Sequence, residues 1–559
     1  MIDKIDLEKQ ILVAYEELGF SPRGNQTSIC YSVLDAFLNK DKKNVCLVAG
    51  TGIGKSILGA VISRVIDHYT PDDSALASII TMGTNSLAQQ YAESFDKLGK
   101  YEFFQVKGAS NYACPFMESQ LSATVKTADA CVKKNLIPQE SDKYCSKCEY
   151  DASKKVINST ANLITNYTYF MISALASNHL KERKLNVFDE AHTLSDWFCS
   201  YAEILVSVEL IDRYIKELGD TNGKCDDQIA GLIMLKQKVS SNEVGDGNYL
   251  QYLQVLLQLY RSIAFTLASQ SSALKSVDVV KSGKFDKMAS KYDSLASKIS
   301  DFFENDYDHV FDNAIPNTFT IKTIFIGKMM EKLLTTYNLF MSATITEQYA
   351  FDVLELDRGA TEYILLDPVF PPENKPLLFL GTSALNYNSL KDPDIIDNMK
   401  DTIKKIVGFH KDQKGLIISP SFYLGSQMVY GLRGTKVFEH KSGVNLSDLI
   451  LSFKSYKGSA VLVSPSIWEG LDFSGDDSRF QVILKSPYPA LGDKRLKHIA
   501  DNYPSIYQEM TLLKILQGIG RSIRTPEDSA TTYFLDPSSK KLYNSKLNVW
   551  KNHYDVKTP

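Results

Sequence analysis

The chain has 559 residues, 44% hydrophobic and 23% charged, with a net charge of -4 at neutral pH. That length exceeds what one core supports and implies about three or four domains. The charge balance excludes a globally basic protein, so a nucleic-acid site has to be a local groove. No apolar run approaches the roughly 18 residues that span a bilayer. The start, Met1 to Gln10, alternates charged and apolar residues and is no signal peptide, so a cytoplasmic protein is expected.

In chain order, Phe20-Ser21-Pro22-Arg23-Gly24-Asn25-Gln26 precedes a helix carrying Ile29, Leu34 and Phe37. Arg23 and Gln26 are candidates to read an adenine edge or to flank phosphates; an ordinary helix start with Pro22 near the first turn is the other reading. Val45-Cys46-Leu47-Val48 reads as a buried strand. It runs into Ala49-Gly50-Thr51-Gly52-Ile53-Gly54-Lys55-Ser56, after which Ile57, Leu58, Val61, Ile62, Val65 and Ile66 mark one face of a helix. Strand, glycine-rich turn, Gly-Lys-Ser and helix make a phosphate-binding loop. Backbone N–H groups and the helix N-terminus would surround phosphate oxygens. Lys55 would reach the β- and γ-phosphates, and Ser56 would ligate Mg2+. The strict pattern begins with glycine, and here that place is taken by Ala49.

Ala77 to Met82 reads as a second strand, leading into the polar helix start Gly83-Thr84-Asn85-Ser86-Leu87-Ala88-Gln89-Gln90. Cys114, Cys131, Cys145 and Cys148 then hold four of the chain's eight cysteines, where uniform scatter would put about half a cysteine. In a reducing compartment such clustered thiols read as metal ligands, for tetrahedral zinc or an iron–sulfur cluster alike. Leu185-Asn186-Val187-Phe188 leads into Asp189-Glu190-Ala191-His192. Asp189 would hold Mg2+ and Glu190 would activate water. From about Tyr201 to Pro316 strand-like runs vanish and a helical lobe is expected, with Leu253, Leu256, Leu257 and Tyr260 at helical spacing. Phe340-Met341-Ser342-Ala343-Thr344 returns to a strand with a polar end. A second, mostly parallel sheet is expected after about Phe351, from Leu416–Ile418, Val461–Val463, Val482–Leu484 and Thr532–Leu535. It carries Ser466-Ile467-Trp468-Glu469-Gly470-Leu471-Asp472-Phe473 and Gln517-Gly518-Ile519-Gly520-Arg521-Ser522-Ile523-Arg524. Gln517, Arg521 and Arg524 stand at i, i+4 and i+7, on one helix face. Two guanidiniums there either pair with carboxylates or meet a γ-phosphate across a cleft.

This ordered set resembles the superfamily 2 helicases and, within them, the XPD/DinG family of iron–sulfur DNA helicases. The resemblance runs from about Phe20 to Asp536. It rests on Arg23 and Gln26, AGTGIGKS, TNSLAQQ, the four-cysteine insertion, DEAH, SAT, SxWEGxDF and QGIGRSIR, together with Leu366-Asp367-Pro368-Val369-Phe370-Pro371 at the opening of the second motor domain. Here the Cys-x-x-Cys pair comes last rather than in the middle, and no N-terminal nuclease domain is expected.

The resemblance implies an α/β protein with two RecA-like parallel-sheet motor domains. Residues 1–107, 153–200 and 317–350 would form the first motor and 351–559 the second. A cluster insertion would occupy 108–152 and an arch-like helical insertion 201–316. It implies ATP, Mg2+ and a [4Fe-4S] cluster, with zinc the lesser alternative. Lys55, Asp189, Glu190, Gln517, Arg521 and Arg524 would be catalytic. Arg23, Gln26, the loop Ala49 to Ser56, Gly470 and Asp472 would line the nucleotide. His192 and Ser342 would couple hydrolysis to DNA, and Tyr112 and Trp468 are candidates for base stacking. The expected activity is 5′-to-3′ translocation of a monomer on single-stranded DNA with unwinding of tailed or forked duplexes, in repair or replication. The alternatives are an RNA or RNA–DNA hybrid remodeller, an ATP-gated clamp without catalysis, and a zinc-stabilised adaptor.

Overall fold

Short runs of Val, Ile, Leu and Phe, each ending in a polar turn, form the strands that organise the chain. In a computed structural model the described residues are all but 1, 51–52, 71–76, 97–102, 120–126, 129–137, 147, 158–161, 178–179, 181–182, 222, 368–369, 382, 384, 387, 469–472, 474, 524–527, 547–553 and 558–559. The strands are β1 (Asn44–Val48), β2 (Ile79–Met82), β3 (Phe103–Gln105), β4 (Asn162–Asn166), β5 (Leu185–Asp189), β6 (Ile204–Ser207), β7 (His309–Asp312), β8 (Thr318–Thr323), β9 (Tyr337–Ser342) and β10 (Thr361–Leu365). The second half adds β11 (Pro376–Phe379), β12 (Lys414–Ile418), β13 (Lys436–Glu439), β14 (Ala460–Ser464), β15 (Phe480–Ile483), β16 (Thr531–Phe534) and β17 (Asp555–Lys557).

Two seven-stranded parallel sheets result. The first has the order β10-β1-β9-β5-β2-β4-β3 and the second β13-β14-β12-β15-β16-β11-β17. Strands β1, β2, β5, β12 and β14 are buried along their whole length, as parallel strands covered on both faces must be. On one face of the first sheet, helices Lys4–Glu17, Gln26–Leu38 and Lys55–Tyr69 pack through Leu7, Ile11, Val33, Leu34, Val61 and Ile62. Registry sets the working edge: Val48 lies opposite Ser342 and Asp189 opposite Met341, so the turns after β1, β5 and β9 emerge side by side.

Two expectations change. Strand β10 pairs with β1, so the first sheet continues beyond residue 350. The insertion from 201 to 316 also has strand structure at its base, where β6 and β7 flank β8 in an antiparallel sheet. Above it, helices Tyr249–Leu274 and Val279–Asn305 pack along their length through Leu253, Tyr260, Phe285 and Tyr292. Val279 and Val280 rest on Cys114, Phe116 and Met117, so the helical lobe touches the cysteine segment.

The two sheets are joined by hydrogen bonds to a buried ion pair of the second domain. Glu509, 1% exposed, lies on helix Pro504–Ile519 of the second domain and accepts a hydrogen bond from Thr346 of the first. Lys546 neutralises it at 3.1 Å and also donates to Gln348. Removing one partner of such a pair strands a buried charge, whereas an apolar replacement of both does not. Lys546→Ala is expected to lower the unfolding free energy in urea by about 3 kcal/mol, and the double variant Glu509→Leu with Lys546→Leu to recover most of it. A loss in Lys546→Ala below about 0.5 kcal/mol contradicts this reading.

Candidate active site between the two sheets

Ala49 shows why glycine is dispensable at the first position of the phosphate loop. It is fully buried, its N–H donates to the carbonyl of Ser342 at 2.9 Å, and it is absent from the residues with positive φ. The conformational demand falls on Gly54, at φ +81° at the cap of helix Lys55–Tyr69. A Cβ there would stand 2.7 Å from Nε2 of Gln26. That amide donates to the carbonyl of Ile53 at 2.7 Å, while its oxygen accepts from Arg23 N at 2.8 Å. Gln26 is thus a buried latch on the loop, and the exposed Arg23 is tied to it through the backbone. Lys55 Nζ donates to the carbonyl of Ala49 at 3.4 Å. Gly50, Ile53 and Ser56 flank this turn, while Thr51 and Gly52 lie outside the described residues.

At the end of β5, Asp189 is almost fully buried. Its carboxylate accepts from the hydroxyl of Tyr91 and, at 3.0 Å, from Glu190 N; Tyr167 donates to its carbonyl. Burial raises the Asp189 pKa above the ordinary carboxylate range. The Glu190 charge adds to this, and Lys55 opposes it. Burial beside Asp189 also raises both tyrosines far above their ordinary range, so they stay hydroxyl donors. Glu190 has φ +55°, a left-handed conformation that costs a non-glycine residue roughly 1 kcal/mol. It turns the chain sharply and leaves its side chain half-buried at the cleft.

A polar bridge crosses from here to the second domain. Ser342 Oγ accepts from the backbone N–H of Thr344 at 3.1 Å and of Ile345 at 3.2 Å. Both its lone pairs are then used, so its proton points to His192 Nδ1, 2.9 Å away. His192 Nδ1 lies 3.4 Å from Glu190 Oε2. Burial lowers the His192 pKa to about 4, with Glu190 opposing and Lys55 and Arg521 reinforcing, so the ring is neutral. Gln517 donates to Thr344 Oγ1 at 2.6 Å and approaches His192 Nδ1 at 3.5 Å; its oxygen accepts from Arg521 Nη2 at 3.3 Å. Arg521 Nε donates to the Trp468 carbonyl at 3.1 Å. Beyond this bridge opens a cavity of about 510 Å3, lined by His192, Asp196, Lys485, Arg495, Lys514 and Gln517 among others.

The structure therefore brings Lys55, Asp189, Glu190, His192, Ser342, Gln517 and Arg521 to one cleft. It corrects the single helical face inferred for Gln517, Arg521 and Arg524. The helix ends at Ile519 and Arg521 stands on a short turn, Gly520–Ser522. Arg524, Gly470 and Asp472 lie outside the described residues. Neither Tyr112 nor Trp468 stands open to solvent, although Trp468 lines the cavity beyond the bridge. Both are buried, Tyr112 accepting from Lys107 N at 3.1 Å, and Trp468 packed so closely under Gly518 that a Cβ there would meet it at 2.7 Å.

Two family models match the chain: DEAD/DEAH box helicase over residues 26–215 and the helicase C-terminal domain over 410–553. ATP-dependent DNA helicase YoaA of Haemophilus influenzae is 22% identical, across 93% of this chain and 91% of that protein. The probable ATP-dependent helicase YpvA of Bacillus subtilis is 28% identical over 206 residues, a match spanning 35% of this chain and only 30% of YpvA. Among solved structures, an XPD helicase superposes with TM-score 0.60 at 17% identity, covering 96% of this chain and all of that one. Xpd4 of S. tokodaii follows at 0.58 and 16%, with the same coverage. This chain is a DEAD/DEAH-type helicase with the fold of the XPD structures.

Three of the helicase's four clustered cysteines are described. Cys114 and Cys148 are buried and Cys145 half-buried, with Cys148 N donating to the Cys145 carbonyl at 3.2 Å. Among the described residues they do not gather into a group of three metal ligands, and Cys131 lies outside them. The site also uses residues that no motif singled out, Tyr91 and Tyr167. They sit on helices after β2 and β4 and become neighbours of Asp189 only through the sheet order.

Neutral His192 makes stability depend on pH. Its pKa is about 4 folded against an ordinary 6.5, so between these values only the unfolded chain takes up the proton. Stability falls as pH drops through that window. Wild type is expected to lose about 2 kcal/mol more than His192→Gln on going from about pH 7 to about pH 4.5 in denaturant titrations. Equal losses in the two proteins contradict the buried neutral ring.

Proposed function

We propose that this helicase hydrolyses ATP to move 5′-to-3′ along single-stranded DNA and to unwind tailed or forked duplexes, acting as a monomer. The observation that carries the reading is the polar bridge from Glu190 and His192 through Ser342 and Thr344 to Gln517 and Arg521. It ties His192, which stands beside Glu190 in the first domain, to the guanidinium of the second, so events at a bound phosphate change how the domains sit.

In this proposal the loop Ala49 to Ser56 holds the triphosphate, Lys55 neutralises it, and Ser56 and Asp189 hold Mg2+. Glu190 takes a proton from the attacking water, whose oxygen bonds to the γ-phosphorus as ADP leaves. Arg521, joined by Arg524, balances the charge that develops on the transferred group. Gly470 and Asp472 complete the second wall, and Gln26 holds the loop in shape beside Arg23. Three cations, Lys485, Arg495 and Lys514, face the cavity beside His192 and suit the phosphates of a nucleic-acid strand. That YoaA is called a DNA helicase favours DNA over RNA.

The four cysteines, 114, 131, 145 and 148, are proposed to hold a [4Fe-4S] cluster in preference to zinc. Four thiolates suit either group, and the preference for the cluster comes from the resemblance to the iron–sulfur helicases; no step of hydrolysis is assigned to it. Among the described residues no helix is long and apolar enough to cross a membrane, and a cytoplasmic setting is part of the proposal.

The test is strand displacement with ATP on 5′-tailed and 3′-tailed duplexes of DNA and of RNA. Displacement of 5′-tailed DNA alone is expected. Lys55→Ala is expected to lose at least about 100-fold in ATPase rate, more than about 2.7 kcal/mol of transition-state stabilisation, while keeping DNA affinity within about threefold. Full ATPase activity in that variant, or preference for RNA or for 3′ tails, overturns the reading.

A further inference from the structure

Lys375 opens the second domain, one residue before β11, and is only 9% exposed. Its ammonium sits 5.0 Å from the centroid of the Tyr554 ring. Among the described residues no carboxylate stands within ion-pair distance of it. Burial lowers its pKa to about 8, and no neighbouring charge offsets that effect. An ammonium removed from water is costly, and one aromatic face returns only a small part of that cost. A chain that keeps this arrangement in a core position forgoes stability that methionine, of similar length and shape, would restore.

The position explains what the charge is for. Lys375 lines a small cavity of about 100 Å3 that is shared by both domains. On the other side stand Gly50 of the phosphate loop and Thr344, whose hydroxyl accepts from Gln517. Gly520, beside Arg521, and Tyr554 close it. Asp367 also borders the cavity but is exposed to solvent. The cation thus stands across a gap from the backbone that would cradle phosphate oxygens, on the domain that has to recognise whether they are there.

We infer that Lys375 is a nucleotide-binding residue of the second domain, whose ammonium meets the polyphosphate held by the loop at Gly50. This rests on the reading of that loop as an ATP site. The anion supplies the missing counter-charge, and with it a contact between the domains that exists only when the loop is filled. Lys375 therefore adds to Arg521 and Arg524 a third cation from the same domain, approaching from the linker side of the cleft.

The experiment compares wild type with Lys375→Met, Lys375→Arg and Lys55→Ala in the full chain, by calorimetric titration with MgATP and by thermal melting. Lys375→Met is expected to weaken MgATP binding about tenfold or more, the size of a charge-assisted contact. It is also expected to melt no lower than wild type, because it removes an uncompensated charge. Lys375→Arg is expected to recover most of the affinity. Unchanged affinity in Lys375→Met overturns the inference. So does a loss of affinity accompanied by a lower melting temperature that Lys375→Arg does not repair, since that marks a packing role. Wild type that fails to bind MgATP, or binds it no better than Lys55→Ala, overturns the reading of the loop itself, and the inference with it. Wild type that binds normally while Lys375→Met is unaffected overturns the inference alone.

Discussion

The carboxamide of Gln517 is the joint between the two sheets. One amide donates to Thr344 and reaches toward His192, while its oxygen receives Arg521. Both ends of the group are used, and they are used on opposite sides of the cleft. A carboxamide is suited to this, because it donates and accepts without carrying a charge that burial would penalise. The neutral state of His192 belongs to the same logic. Its ring accepts from Ser342, whose own lone pairs are taken by two backbone N–H groups. Protonation would break that order and place a third cation beside Lys55 and Arg521.

The fold supplies the precision this joint needs. Strands β1, β9 and β5 are adjacent, so the phosphate loop, Ser342 and Asp189 leave the sheet at one level. Asp189 is then held from two directions by Tyr91 and Tyr167. On the second domain, Trp468 lies under Gly518 in the space a larger residue would need, and its carbonyl positions Arg521. Packing on each side therefore fixes the groups that meet in the middle, and the hydrogen bonds of the Glu509–Lys546 pair to Thr346 and Gln348 hold the domains together away from the chemistry.

Much of this could be read from the chain. The phosphate loop was flanked by a strand and an apolar helix face, and DEAH followed a strand, so local pattern and chemistry agreed. What escaped was whatever depended on distant partners. Strand β10 is five residues after an irregular stretch, and only its pairing with β1 assigns it to the first sheet. Strands β6 and β7 are four residues each, too short for periodicity to stand out in a long helical lobe. The helix carrying Gln517 stops before Arg521, a boundary that spacing alone does not locate. Burial of Tyr112 and Trp468 likewise follows from tertiary packing, which residue type does not reveal. Gln26 is a candidate in the sequence to read an adenine edge or to flank the phosphates; that its amide also closes on Ile53 is invisible until the loop is folded back over it.

If the bridge couples the two domains, its two halves must act as one unit. The most direct measurement is a double-mutant cycle on the steady-state ATPase rate, combining Thr344→Val with Gln517→Leu. The account expects each single change to reduce the rate and the pair to do little further harm, an interaction energy of about 1 kcal/mol or more. Strictly additive losses, with an interaction energy within about 0.3 kcal/mol of zero, would contradict it.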